Sequence, residues 1–160
     1  MSVANIRTQI KIILESVAGI GVVHDYERWA VDWAKALQLF KPSNQDKING
    51  WMITRTKTQE WVDTFNRNFS LHHFLIRGVY SLDDAGASEK IFQDLIEAVR
   101  DKFRTNYNLN GSCESIYPDT GPPYEGRAGV QVDLIEVRTF GGVLCHYCEL
   151  SLYAKERIIY

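Results

Sequence analysis

Four short arrangements in this chain of 160 residues hold side chains able to do chemistry. Cys145-His146-Tyr147-Cys148 has the spacing of a redox pair or of half a zinc site. It lies inside an apolar run that reads as a strand, where residues three apart project to opposite faces. Two thiolates so placed cannot share one metal or close easily into a disulfide. A thioredoxin-type pair opens a helix after a strand, which this segment does not do. His72-His73 are adjacent residues of another apparent strand and also point to opposite sides. One ring could join His24 or His146 across a sheet, but no carboxylate spacing completes a metal set. The expectation is a set of structural histidines held by simple hydrogen bonds. Asp83-Asp84 and Asp25 with Glu27 are the paired carboxylates. Asp83-Asp84, or Ser88 just after it, stands where a helix needs a cap, and the other pair alternates along a short strand. Gly19-Ile20-Gly21 follows a helix, the wrong order for a phosphate cradle. No nucleophile elbow, Walker loop or dinucleotide fingerprint is present. These residues argue for no catalytic group, metal or cofactor, and the chain reads as no enzyme.

The elements that would position these residues follow from periodicity. Val3, Ile6, Ile10, Ile13, Leu14 and Val17 recur at three and four residues and predict an amphipathic helix, with Ser2 as cap and Gly19 and Gly21 as the stop. Gly21 to Glu27 reads as a short strand. Trp29, Trp33, Ala36, Leu37 and Phe40 suit a short helix ended by Pro42. Ile48 to Thr56 reads as a strand whose start is weakened by Asn49-Gly50, and Lys57 to Asn68 as a polar bridge, either a hairpin arm or a turn. Phe69 to Leu82 is a long strand with apolar residues on both faces, hence central. Ile91, Phe92, Leu95, Ile96, Val99 and Phe103 make the widest helical stripe. Ile116-Tyr117 suggests a short strand before a Pro/Gly-rich loop over residues 117–129. Val130 to Arg138 and Val143 to Ala154 close the chain as a hairpin about Phe140-Gly141-Gly142. In the first of these strands Val130, Val132 and Leu134 should share one face, and Gln131, Asp133, Ile135 and Val137 the other. The order predicts a single α+β domain over residues 1–160. Its sheet is mixed and largely antiparallel, with two main helices packed on one face. A ferredoxin-like layout is the alternative.

Composition limits the function. Lys plus Arg is 18 against 20 for Asp plus Glu, a net charge of −2, without the basic footprint of a nucleic-acid coat. Apolar stretches fall far short of the roughly 20 residues of a membrane span, and the N-terminus lacks a signal-peptide layout, so we expect assembly in the cytoplasm without a membrane. Three cysteines, an odd number, fit a reduced compartment. Trp29, Trp33, Trp51 and Trp61 all fall in the first 61 residues, and two helices leave one sheet face undercovered. A partner subunit would cover it, which places protein assembly above catalysis. Trp51, Trp61, Phe65, Tyr117, Tyr124 and Arg127 are the candidate interface residues.

The order of parts resembles the tail terminator (tail completion) proteins of long-tailed bacteriophages. The helix Val3 to Val17 runs into Gly19-Ile20-Gly21-Val22-Val23-His24-Asp25-Tyr26. A variable section follows, then the strand Phe74 to Tyr80, the helix opening Ala87 to Leu95, Leu109-Asn110-Gly111, and a final pair of strands. The likeness spans most of the chain outside Arg28 to Phe69. It implies a mixed sheet flanked by helices, and a hexameric ring on the head-proximal end of the tail tube. That ring would stop tube polymerisation, bind the tail tube protein and the head connector, and let DNA pass without specific binding. The location implied is the virion tail or neck. Head–tail connector or stopper proteins share parts of this outline and are the alternative within the class. A small cytoplasmic enzyme or ligand-binding domain is the alternative outside it.

Overall fold

The computed structural model describes residues 2–117 and 128–160. Helix α1 spans Val3–Glu15, with the Ser2 hydroxyl accepting the Asn5 N–H as its cap. Strand β1 is Val22–His24, and helix α2 is Trp33–Phe40, capped by Asp32 accepting from the Lys35 N–H. Strands β2 (Asn49–Thr64) and β3 (Arg67–Ser81) form one long hairpin. Helix α3 is Ser88–Arg104. Strands β4 (Gln131–Phe140) and β5 (Val143–Ile159) form a second hairpin, joined by Gly141-Gly142. Both glycines have positive φ, 59° and 85°, as a two-residue turn matched to strand twist requires.

The five strands form one sheet in the order β1-β2-β3-β5-β4. β1 runs parallel to β2 and every other pairing is antiparallel, so the sheet is mixed and largely antiparallel. β3 is central, as its two apolar faces predict. Helices α1 and α3 cover one face. Ile6, Ile10, Leu14, Phe92, Ile96 and Val99 pack there on Trp51, Phe74, Ile76, Cys148 and Leu152. Helix α2 covers the lower part of the other face, where Ala36, Leu39 and Phe40 pack on Met52, Val79, Cys145 and Tyr147. The α+β architecture thus holds, and the face expected to be undercovered is partly closed by α2.

Three strands outrun the rest of the sheet. β1 borders β2 only from Gly50 to Met52, and β4 borders β5 only as far as Ser151. Beyond them β2, β3 and β5 continue side by side to the row Thr64, Arg67 and Ile159. That makes a three-stranded arm of about 26 Å, eight residue pairs of β3 and β5 at roughly 3.3 Å per residue. Lys57 to Asn68, readable from sequence as arm or turn, is arm. Asn49-Gly50 lies inside the strand, and β5 runs on past Ala154 because β3 lies alongside it.

Several local expectations are corrected. A bulge between Val132 and Leu134 shifts β4, so Val132 pairs with Leu150 and Leu134 with Glu149. Val132 and Leu134 therefore face opposite sides, and Ile135 and Val137 join Val132. Helix α1 ends at Glu15 with Ser16 as cap, before either glycine. Helix α3 has no side-chain cap: Ala87 precedes it in the left-handed region, and Asp83 instead accepts the Gly86 N–H. β1 ends at His24, so Asp25 and Glu27 lie beyond the strand. Glu27 pairs with Arg77, whose guanidinium lies over Trp29. Ser115 makes an isolated bridge to Lys155 in place of a strand at Ile116-Tyr117.

Candidate assembly surface

The side chains with chemical potential are tied into the framework. Cys145 faces the α2 side and Cys148 the α1–α3 side, as alternation requires. Burial pushes the Cys145 thiol up to about 11 and the Cys113 and Cys148 thiols up to about 12. His24 Nε2 donates to the Leu39 carbonyl at 2.8 Å. His73 Nδ1 meets the Thr56 hydroxyl. His146 Nε2 lies 2.7 Å from the Ser88 hydroxyl, which also accepts the Asp83 N–H. This buried serine–histidine contact, not anticipated from sequence, pins the first residue of α3 to β5. Its ring stacks on Phe92 at 5.7 Å. Among the described residues, no three His, Cys, Asp or Glu side chains are placed to hold a metal ion.

His72 links three strands. Its Nε2 lies 2.9 Å from Glu156 Oε2 and its Nδ1 lies 2.9 Å from the Thr58 hydroxyl. Thr58, His72 and Glu156 belong to β2, β3 and β5, so this row ties the arm's three strands together on one side. One step outward, the Glu60 carboxylate accepts from Asn68 at 2.8 Å and from Ser70 at 3.0 Å. Those two hydrogen bonds, Asn68 first, hold its carboxyl below the usual range. On the other side Lys155 and Arg157 lie over the Phe69 ring, and both pair with Glu114. These contacts cross-link the arm's strands on both faces.

The predicted interface residues divide sharply. Trp51 is a core residue, fully buried: its ring lies 6.1 Å from Phe92 and its Nε1 donates to Asn49 Oδ1 at 3.0 Å. It is withdrawn as an interface candidate. Its strand position between Gly50 and Met52, bordered by β1, puts it under α3, which no local pattern could reveal. Trp61 and Phe65 both stand on the arm, 46% and 94% exposed. Tyr117 packs against the α1–α3 core, and its hydroxyl lies 3.4 Å from the Arg104 carbonyl. Tyr124, Arg127 and most of the Pro/Gly-rich loop lie outside the described residues. Sequence reading missed Val62, Ile159 and Tyr160, which are exposed at the same end of the arm. The charges Lys155, Glu156 and Arg157 hid Ile159 and Tyr160 by interrupting the apolar pattern of β5, and the polar neighbours of Val62 hid it on β2. A second exposed apolar stripe, Val132, Ile135 and Val137, lies on β4 and appears only once the bulge is known.

A cavity of about 450 Å³ opens at the opposite end of the hairpin. Ala18, Ile91, Leu95 and Ala98 give it apolar walls, and Lys47 and Asp94 stand among its polar residues. Lys47 Nζ lies 4.7 Å from the centre of the Tyr80 ring and bonds the Tyr80 hydroxyl. Asn49, also lining it, donates to the Gly19 carbonyl at 2.8 Å and accepts from Trp51. The deep polar groups are thus satisfied from within, and the space is apolar. Among the described residues no helix is long and apolar enough to cross a membrane.

Comparison with models of protein families gave no match, and comparison with curated proteins gave none.

Proposed function

We propose that this chain is a virion structural protein that forms a ring at the head-proximal end of a phage tail tube. There it stops tube polymerisation and presents a docking face to the head connector. The observation that carries the reading is the three-stranded arm, whose outer end exposes Trp61, Val62, Phe65, Ile159 and Tyr160. Apolar side chains clustered at a projecting end cost solubility unless another surface receives them. Subunits of a ring meet through two different surfaces, and this chain exposes apolar groups in separate places, on the arm and on β4. The resemblance of the sequence to tail terminator proteins supplies the ring and its place on the tube. A net charge of −2 suits a lumen that lets DNA pass without gripping it.

The test is tube capping. Purified chain is added to polymerising tail tube protein of a long-tailed phage, and tube lengths are measured by electron microscopy. The reading predicts tubes that stop growing and carry a ring at one end. Tubes that lengthen unchanged, with no density at either end, would overturn it.

A further inference from the structure

We infer that the arm's end is a plug, and that its socket is the 450 Å³ cavity of a second copy of this chain. The inference rests on the ring reading and specifies its subunit junction. Phe65 occupies the two-residue turn with Asn66, between the paired residues Thr64 and Arg67, and is almost wholly exposed. It is flanked by one acid and one base, Asp63 and Arg67, which pair with each other at the surface. The cavity has matching features. Its walls of Ala18, Ile91, Leu95 and Ala98 are apolar, and it carries one base, Lys47, and one acid, Asp94. Asp63 can meet Lys47 while Arg67 meets Asp94. An exposed ion pair contributes little on its own, so exchanging partners costs little. The volume falls within the range that encloses a small ligand and exceeds one phenyl ring.

The occupant must come from another molecule. The cavity borders Asn49 at the start of β2, and Phe65 follows the end of the same strand. About 50 Å of paired strand separates them, at roughly 3.3 Å per residue, and the stiffened arm cannot fold back over that length. Plug and socket are different surfaces, so each copy gives one and receives one. Such a head-to-tail junction generates a ring where its rotation closes and a filament where it does not.

Complementary blocking tests this. Phe65→Asp disables the plug and leaves the socket intact. Ile91→Glu, at a half-exposed position of α3, charges the socket and leaves the plug intact. Mass is read by light scattering on a sizing column, with circular dichroism and the urea midpoint as folding controls. Each variant alone should raise the concentration of half-assembly more than tenfold. Their equimolar mixture should form a dimer of about 37 kDa and nothing larger, because only one functional junction remains per pair. Wild-type assembly unaffected by either variant would overturn the plug while leaving the ring reading standing. Open-ended chains that both variants abolish would support the plug and overturn the ring. A wild-type chain that stays monomeric throughout and also fails to bind tail tubes would overturn both.

Discussion

Cys113, Cys145 and Cys148 show how burial sets reactivity here. Their thiols are pushed to about 12, 11 and 12 from an ordinary 9.0, with burial the largest cause in each. They stay protonated and inert at neutral pH. A thiol reagent at pH 8 should label none of them in the folded chain and all three in denaturant; rapid labelling of Cys148 under native conditions would contradict the packing. The same shifts have a signed consequence. Between pH 9 and 11 the unfolded chain releases thiol protons that the folded chain keeps. Their contribution is therefore complete below pH 9 and falls as pH rises through this window. Urea midpoints should decline over it, and a flat profile would contradict the shifts. Gly78 is a second pressure point. A Cβ there would lie 2.6 Å from the Trp51 ring and 2.9 Å from Cys148 Sγ. Gly78→Ala should cost about 1–3 kcal/mol in urea unfolding, since the core on both sides must shift. The cysteines' opposite facing could be read from spacing alone, because alternation is a local rule. The burial of Trp51 could not, because it depends on α3, which begins 37 residues later.

The arm illustrates how much of an element's length is decided by its neighbours. From Lys57 to Thr64 the residues are mostly polar, with no apolar face to fix a strand. They form one because β3 pairs with them on one side and with β5 on the other. Helices α1 and α3 needed no such help, since their stripes declare both type and buried face. Bulges between Arg55 and Lys57 and between Val132 and Leu134 break the period of two, so face assignments read from alternation fail beyond them. The arm's stiffness is assigned to the row Thr58, His72 and Glu156. Glu156→Ala removes a buried partner from His72 and should cost about 1–3 kcal/mol. Amide exchange should rise in β2 and β3 of the arm while α1 and α3 keep their protection. Uniform loss of protection would place the role of Glu156 in the global core instead.

The base of the arm belongs to the core, through Phe74, Leu152 and Ala154, while its outer end from Trp61 to Phe65 is an extension that buries little. Helices α1 and α3 cover most of one face and α2 part of the other, leaving Val132, Ile135 and Val137 of β4 exposed. The arm therefore carries the functional argument, through Trp61 and Phe65, which sequence reading singled out, and Val62, Ile159 and Tyr160, which it did not. An assembly surface has no motif to find: it is defined by what the fold leaves uncovered, and that is known only once everything else is packed. The most direct test is the solution mass of the chain across a concentration series. The account predicts a discrete species of six copies, about 110 kDa for a chain of 18.4 kDa, replacing the monomer as concentration rises. A single species of 18.4 kDa at every concentration, with tail tubes present as well as absent, would contradict it.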